Sequence, residues 1–320
     1  MAGRRQTLIA LGAALAMPMA RAQSWPARPV KLVVGFAPAG PADIVARILQ
    51  SRLSERLKQP VVIENRGGAG GNVAAQAVSR MEPDGHSLLV TTSAFAVNPS
   101  LSRNAGYDPQ KDFATVNIVA GTPNLIVAAP DLPAHTLQDV FALAKKQNLS
   151  FGTAGAGTTP HLSAEYLFKS LAKVNIVHAP FTGAGPSLSA AAGNQIPLAS
   201  VALPAALALA KSGKVRPLAV TSTKRVRSLP DVPTVAELGF SGFSFTTWVG
   251  FFAPARTPQA VLARLNSESN LILFIPEVQE QLEKAGFDVI GGPLPKVGDY
   301  LKAEVAKYAR VVKETGVTFE

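Results

Sequence analysis

From Val30 onward, short apolar runs rich in β-branched residues alternate with stretches whose apolar residues recur at helical spacing. The first unit places a buried strand over 30–36, a proline-rich break, and an amphipathic helix over 42–58. Strands separated by helices favour parallel pairing, with the helices covering the sheet. The alternation continues over 61–92 and again over 125–221. The sequence therefore predicts an α/β fold built from two sheet-and-helix units.

Two further apolar segments connect these units. The runs 115–120 and 125–129 flank the sequence Gly-Thr-Pro-Asn at 121–124, and together they predict a passage from one lobe to the other. A second long apolar run, 243–253, predicts the return. Two crossover strands give a two-lobed protein with a hinge and a ligand cleft between the lobes. The predicted organisation is a signal peptide at 1–22, lobe 1 at 23–123 and 248–320, and lobe 2 at 124–247.

The first 22 residues have the features of an export signal. Arg4 and Arg5 precede an apolar run over 8–19 that is too short for a membrane span flanked in this way, and Ala-Arg-Ala at 20–22 supplies small residues for a signal peptidase. We expect cleavage before Gln23 and a periplasmic location. A retained anchor or buried helix is the alternative, and the paired arginines leave twin-arginine export open. Removal lowers the formal net charge from +10 to +7, because the leader holds three arginines and no acidic residue.

The composition excludes several functional classes. The chain has no cysteine, which excludes disulfide scaffolds, thiol nucleophiles and cysteine-ligated metals. Its four histidines lack metal-binding spacing, no glycine loop completes a dinucleotide fingerprint, and the sequence has neither a P-loop nor a Gly-x-Ser-x-Gly nucleophile elbow. The densest basic cluster, 224–227, has no interleaved aromatic residues and indicates a solvated loop. We expect no cofactor, no metal and no nucleic-acid partner.

Loops rich in small residues follow the predicted strands. In open parallel α/β sheets, ligands bind beyond the carboxyl ends of the strands, where helix N-termini present unpaired amides. Small side chains let an oxygen anion approach the backbone, and hydroxyls add donors. For any one loop a tight turn is the better explanation, but four such loops at equivalent positions favour carboxylate binding through neutral donors. The four loops are 36–41, 92–94, 153–160 and 181–185.

Ordered motifs along the whole mature chain carry a family resemblance. They are PARPVKLVVGFAPAGPAD at 26–43, VIENR at 62–66, GGAGGN at 67–72, PDGH at 83–86, NPSL at 98–101, YDP at 107–109, GT at 157–158 with HL at 161–162, LAVTS at 218–222 and LPDVPTVAE at 229–237. With these motifs the chain resembles the substrate-binding receptors of tripartite tricarboxylate transporters, also called Bug-type receptors. The resemblance implies a type II periplasmic binding protein that closes on a small carboxylate and presents it to a membrane permease.

The same resemblance implies which residues bind the ligand. In that family the carboxylate is held mainly by backbone amides, hydroxyls and ordered water, from the loop after the first strand and from the Gly-Thr loop of the other lobe. The implied ligand-binding residues here are Pro38, Ala39, Gly40, Gly157, Thr158 and Thr159, with Thr92, Ser93, Asn124 and Phe181 as further candidates. His161 either donates a hydrogen bond to the ligand or caps its own helix, and the sequence leaves both open.

Two positions depart from the family pattern. Ala39 stands where the family usually has a glycine, so the backbone there is expected to be less permissive or the pocket smaller. Val201 stands where many members have an aspartate, which amino-acid-binding members use to hold an ammonium group. Val201 therefore predicts a ligand without an amino group.

The resulting hypothesis is a periplasmic, monomeric solute-binding protein that captures a small organic carboxylate for a tripartite tricarboxylate-type transporter and is not an enzyme. A sensory binding protein that contacts a membrane-bound regulator would have the same pocket and is the first alternative. An exported enzyme is the second, and it would require a catalytic role for His161 or Asp43.

Overall fold

The computed structural model describes residues 25–101 and 105–317, so the predicted signal peptide lies outside the described residues. Over these ranges, none of the helices combines the length and the apolar character needed to cross a membrane. The elements are β1 (Val30–Val34), α1 (Pro41–Leu57), β2 (Val61–Asn65), α2 (Asn72–Ser79), β3 (Ser87–Thr92), α3 (Ala94–Leu101), β4 (Phe113–Ala128), α4 (Leu137–Ala144), β5 (Leu149–Thr153), α5 (Thr159–Glu165), β6 (Ile176–Pro180), α6 (Ala184–Ala192), β7 (Leu198–Ala202), α7 (Leu203–Lys211), β8 (Arg216–Val220), β9 (Thr246–Pro254), α8 (Gln259–Leu273), α9 (Pro276–Lys284), β10 (Asp288–Val289) and α10 (Leu294–Thr315).

Parallel strands form the centre of each lobe, as the alternation predicts. β1 pairs in parallel with β2 and β3, and β5 pairs in parallel with β6 and β7. We use "first lobe" for β1–β3 and β10 with α1–α3, α8 and α9, and "second lobe" for β5–β8 with α4–α7. The strand order is β2-β1-β3-β9-β4 in the first lobe and β4-β7-β5-β6 in the second, where β8 pairs with the opposite side of β4. Helices that return the chain between parallel strands give this arrangement.

The long strand β4 corrects one expectation from the sequence. Two apolar runs separated by a break were expected over 115–129, but the structure has one continuous strand of 16 residues, Phe113–Ala128. The segment 121–124 stays extended because β9 pairs with it, Gly121 opposite Trp248 and Pro123 opposite Thr246. A partner strand that lies more than a hundred residues away in sequence is invisible to local periodicity. β4 and β9 together are the connection between the lobes.

Apolar packing covers both faces of each sheet and also joins the lobes. One buried cluster lies in the first lobe around Leu32 and Leu49, and another lies in the second lobe around Leu188. The largest cluster includes Phe95 of α3, Phe168 of the second lobe and residues of α10. Helix α10 packs against α3 and against the helical segment that follows α5, so it contacts both lobes. The lobes therefore share part of one core on this side of β4 and β9.

Gly250 of β9 lies at a crowded point of this core. A Cβ atom on Gly250 would lie 2.7 Å from Cε2 of Phe252 and 2.9 Å from Cδ1 of Ile118. We expect Gly250→Ala to lower the free energy of unfolding by about 1–3 kcal/mol, because both neighbours are buried and must shift. The matched control is Gly298→Ala in α10, where a Cβ meets no atom within 4 Å. Urea denaturation measures both variants, and equal stability of Gly250→Ala and the wild type would contradict this packing.

Candidate functional site

The carboxyl ends of the parallel strands of both lobes point toward the space between the lobes. β4 leaves the first lobe parallel to β3, while β7 and β8 run antiparallel to β4, so the second-lobe strands end facing the first-lobe strands. The loops that follow β1, β3, β5, β6 and β7 each lead into a helix, α1, α3, α5, α6 or α7. Helix N-termini carry unpaired amides and a partial positive charge. The structure thus gathers five such termini at the cleft.

The loop after β1 is held by Asp43, which lies in the first turn of α1. The Ala39 amide donates to Asp43 Oδ2 at 2.8 Å, and Asn65 Nδ2 donates to Asp43 Oδ1 and to the Phe36 carbonyl oxygen, both at 3.0 Å. Arg47 Nε also donates to Asp43 Oδ2, at 2.9 Å, and forms an ion pair with it. Burial by itself would raise the pKa of Asp43, but the hydrogen bonds from Arg47, Ala39 and Asn65 hold that pKa below its ordinary value. The carboxylate therefore stays charged and fixes the loop.

Ala39 has φ 64°, a left-handed conformation that suits the glycine usual in the family. For alanine this conformation costs about 1 kcal/mol. The hydrogen bond to Asp43 offsets that cost, so alanine keeps a glycine-like backbone at this point. Pro38 and Ala39 are exposed, and Gly40 is half-buried, where it precedes α1.

The loop between β5 and α5 is held by side chains of the second lobe. The Gly157 amide donates to His161 Nδ1 at 3.1 Å, and the Gly155 amide donates to Thr153 Oγ1 at 3.1 Å. The Thr158 hydroxyl donates to the Gly155 carbonyl oxygen at 2.7 Å. Thr158 and His161 are both buried. The Gly157 amide and the Thr158 hydroxyl, both expected to face the ligand, are thus already paired within the protein.

Two stacked histidine rings lie beneath this loop. The ring centroids of His161 and His178 are 3.8 Å apart, and His178 Nε2 lies 2.7 Å from Thr153 Oγ1. Burial lowers the pKa of His161 to about 3, with His178 and Lys169 adding charge repulsion. Burial also lowers the pKa of His178 to about 4, again with a contribution from Lys169. Both rings are neutral near neutral pH.

Hydroxyl groups join the two lobes beside the cleft. Ser93 Oγ, after β3, hydrogen-bonds to Thr159 Oγ1 at the start of α5. The Tyr308 hydroxyl donates to Thr159 Oγ1 at 3.5 Å and lies 3.4 Å from the Thr246 carbonyl oxygen. The sequence predicted Ser93 and Thr159 as site residues but contained no signal for Tyr308, because α10 reaches them only through the tertiary fold. These contacts bring the two predicted halves of the site together.

The other predicted residues have more varied surroundings. Asn124 is fully buried in β4, where its Nδ2 donates to Ser163 Oγ at 3.2 Å and its Oδ1 accepts from the Thr247 hydroxyl at 2.8 Å. Thr92 is buried and its Oγ1 accepts from the Ala94 amide. The Phe181 ring is half-buried at the end of β6. The polar groups of Asn124 and Thr92 thus form hydrogen bonds within the protein, and Phe181 presents an apolar surface.

The glycine loop at 67–71, a motif of the sequence that was not among the four predicted binding loops, also reaches the other lobe. A Cβ on Gly70 would lie 3.7 Å from the Ala156 carbonyl oxygen and 3.2 Å from Asn98 Nδ2. Gly70 has φ 64°, and its carbonyl oxygen accepts from Asn98 Nδ2 at 3.0 Å. The loop at 67–71 therefore belongs to the cleft, and its glycine content was the available signal.

Among the cleft-loop amides that remain unpaired, one belongs to a predicted ligand-binding residue, Thr159, and others lie beside predicted residues. Within residues 25–101 and 105–317, the amides of Phe36, Ala37, Ala156 and Thr159 have no hydrogen-bond acceptor. Phe36 and Ala37 precede Pro38, and Ala156 and Thr159 flank Gly157 and Thr158. The same part of the chain contains no group of three or more His, Cys, Asp or Glu residues arranged to hold a metal ion. The cleft thus combines free neutral donors from both lobes.

A cavity of about 540 Å³ lies elsewhere between the lobes. It is lined by the 222–228 loop and by the 279–289 segment, and it includes none of the predicted ligand-binding residues. Arg227 Nη1 and Glu283 Oε1 form an ion pair of 2.7 Å between its two sides.

Two lobes, two connecting strands and a donor-lined cleft define the class of two-lobed solute-binding proteins. Residues 45–317 match the profile of the family described as "Tripartite tricarboxylate transporter family receptor". The chain belongs to this family.

Solved structures of similar proteins agree with this assignment. The chain is 34% identical to R. palustris Rpa4515 with adipate, with a TM-score of 0.87 over 92% of this chain and 99% of that one. It is also 34% identical to the periplasmic binding protein BugD, with a TM-score of 0.85 over 92% of this chain and 100% of that one. MatC (Rpa3494) from Rhodopseudomonas palustris with bound malate is 32% identical, with a TM-score of 0.83 over 90% and 100%. The two-lobed fold and the prediction of a binding protein rather than an enzyme are confirmed.

The contacts of Asp43 predict a stability effect. We expect Asp43→Asn to lower the free energy of unfolding by about 2 kcal/mol at pH 7, because charge-assisted hydrogen bonds to a buried group are lost. Since the folded-state pKa of Asp43 is lowered, the wild-type advantage is present above the unfolded pKa and disappears as pH falls through the folded value. Denaturant titrations at pH 7 and pH 3 measure this. Asp299→Asn, at an exposed position, is the control, and an equal effect of both variants would contradict the role of Asp43.

The histidine pair predicts a loss of stability in the same direction, as pH falls, but in a higher pH range than Asp43. Because the folded-state pKa values of His161 and His178 lie below the ordinary 6.5, the unfolded chain binds protons that the folded protein does not as pH falls below 6.5. Wild-type stability should therefore fall between pH 7.5 and pH 5, by about 1–2 kcal/mol more than the stability of His161→Asn. Urea denaturation across this range measures the difference. Parallel curves for the two proteins would show that His161 is not held neutral.

Proposed function

We propose that this protein is exported to the periplasm, binds a small organic carboxylate without an amino group in the cleft between its lobes, and presents it to the membrane permease of a tripartite tricarboxylate-type transporter. The observation that carries the proposal is the set of free backbone amides, Phe36 and Ala37 in one lobe and Ala156 and Thr159 in the other. A carboxylate that bridges them would satisfy donors of both lobes at once.

The charge of the cleft supports an anionic ligand. The cleft loops 36–42, 66–71, 92–93, 153–159 and 180–186 contain no aspartate or glutamate. Their one charged residue is Arg66, whose Nη2 lies 2.6 Å from Glu64 Oε1. A carboxylate therefore meets neutral donors there, without charge repulsion from an acidic group of these loops, while Arg66 is already paired with Glu64.

The same loops offer no partner to an ammonium group. Asp43 is 2% exposed and already engaged with Arg47 and Asn65. Val201, at the position where amino-acid-binding members can have an aspartate, is fully buried among apolar residues of the second lobe. An ammonium group without a counter-charge is costly to desolvate, which disfavours amino acids relative to plain carboxylates.

The ligands named for similar proteins support the carboxylate class. R. palustris Rpa4515 is described with adipate and MatC with bound malate. Neither compound has an amino group. The half-buried Phe36 and Phe181, one from each lobe, give the cleft apolar surface suited to the carbon chain of such a ligand.

In the proposed mechanism, the lobes open and close about β4 and β9. The open protein admits the anion, and the closed arrangement gains population because it supplies donors from both lobes. The loop residues Pro38, Ala39 and Gly40, with Gly157, Thr158 and Thr159, shape the two walls, while Ser93 and Thr159 join them beside the hinge. No covalent step takes part.

Matched pairs of ligands test this function. We expect succinate, glutarate or adipate to bind at least about tenfold more tightly than aspartate, glutamate or 2-aminoadipate, because each pair differs only by the ammonium group. Isothermal titration calorimetry measures the affinities, and thermal unfolding should shift upward by about 5 °C at a hundredfold excess over Kd. Tighter binding of the amino acids would contradict the proposed ligand class, and absence of binding by every carboxylate would contradict the proposed function.

A further inference from the structure

We propose that His161 is the positioning residue of the second-lobe half of the carboxylate site. Its Nδ1 atom accepts the Gly157 amide and so fixes the loop in the shape that leaves the Ala156 and Thr159 amides free for the ligand. This inference rests on the proposed function, because it assigns a role within the same site.

The geometry requires a particular state of the His161 ring. The Gly157 amide donates at 3.1 Å, so Nδ1 must be an unprotonated acceptor and the ring proton of the neutral form lies on Nε2. Gly157 has φ 76° and Gly155 has φ 133°, conformations that favour glycine. Because glycine can adopt many backbone conformations, the loop needs a contact that selects one of them. A side-chain acceptor from α5 supplies that contact.

The second ring, His178, strengthens the same arrangement. It stacks on His161 at 3.8 Å between centroids, and its Nε2 lies 2.7 Å from Thr153 Oγ1, which accepts the Gly155 amide. The two rings therefore fix both positive-φ glycines of the loop, one directly and one through Thr153.

The groups around the rings favour the neutral form. His161 Nε2 lies 4.0 Å from Glu165 Oε1, one helical turn further along, but Lys169 Nζ is 2.6 Å from Glu165 Oε2 and already neutralises that carboxylate. Phe151 lies against both rings, with centroid separations of 6.4 Å from His161 and 5.1 Å from His178. A protonated His161 would direct Nδ1–H at the Gly157 amide and break the contact that fixes the loop. The lowered pKa of His161 agrees with this requirement.

Affinity measurements on three variants test the proposal, with adipate and malate as the probes. His161→Leu removes the acceptor, and we expect it to weaken binding of whichever probe the wild type binds by about tenfold or more. His161→Asn places an amide oxygen near the position of Nδ1 and should restore the affinity to within about threefold of the wild type. His135→Ala, at an exposed position, is the control and should leave the affinity unchanged. A folded His161→Leu protein with wild-type affinity would overturn the inference while leaving the proposed function intact.

Nitrogen NMR of the wild-type imidazoles gives a second readout that needs neither ligand nor variant. We expect the His161 ring to be the neutral Nε2–H form and not to titrate between pH 8 and pH 5, with the Gly157 amide protected from hydrogen exchange. A ring that protonates near pH 6.5, or that carries its proton on Nδ1, would overturn the inference even if His161→Leu fails to fold. If the wild type binds neither adipate nor malate, that result counts against the proposed function, and these NMR signals still decide whether His161 holds the loop.

Discussion

The antiparallel ladder between β4 and β9 is the constraint on which the rest of the structure depends. Every other strand of the described sheet is added to these two, directly or through a neighbour, since β3 pairs with β9 while β7, β8 and β10 pair with β4. The ladder also places the site, because the Ser93 amide donates to the Trp248 carbonyl oxygen of β9 at 3.0 Å. The opposing loops of the two lobes are therefore held in place by the same pair of strands. They can lie close to one another although no short chain segment connects them.

Local periodicity predicted those parts of the fold that local forces determine. The strands β1 and β5 and the helices that follow them have the expected pattern, and their parallel pairing follows from the alternation. Two features could not be seen in this way. Continuous β4 depends on pairing with β9, and α3 (Ala94–Leu101) contains Pro99, which weakens a helical signal in isolation. Both are stabilised by contacts between residues that are far apart in sequence.

The sequence predicted which loops form the candidate site, but not which of their atoms are free to contact a ligand. Position at the carboxyl end of a strand and small side chains were sufficient to identify 36–41 and 153–160 as cleft loops. They could not show that the Ala39 and Gly157 amides are paired internally, because the acceptors are side chains whose rotamers depend on tertiary packing. The bonding of Asn124 within β4 was hidden for the same reason. Sequence thus identified the walls of the cleft, while the structure was needed to show which donors remain free.

Both lobes fix a cleft loop by the same kind of hydrogen bond, from a loop amide to a side chain of the following helix. The accepting side chain differs between the lobes, and the groups around it explain the difference. In each lobe an amide of the cleft loop is held by a side chain four residues later in the first turn of a helix, Ala39 by Asp43 and Gly157 by His161. The Asp43 carboxylate accepts the Ala39 amide best when it is charged. Its hydrogen bonds from Arg47 and Asn65 stabilise the charged form. The imidazole is an acceptor at Nδ1 only when that nitrogen is unprotonated, and burial beside His178 and near Lys169 keeps it neutral. Each environment thus stabilises the one protonation state that can accept the amide. Because each acceptor lies within the following helix, it pairs one amide of the loop inside the protein, while the Phe36, Ala37, Ala156 and Thr159 amides of the same loops stay unpaired and available to the proposed carboxylate.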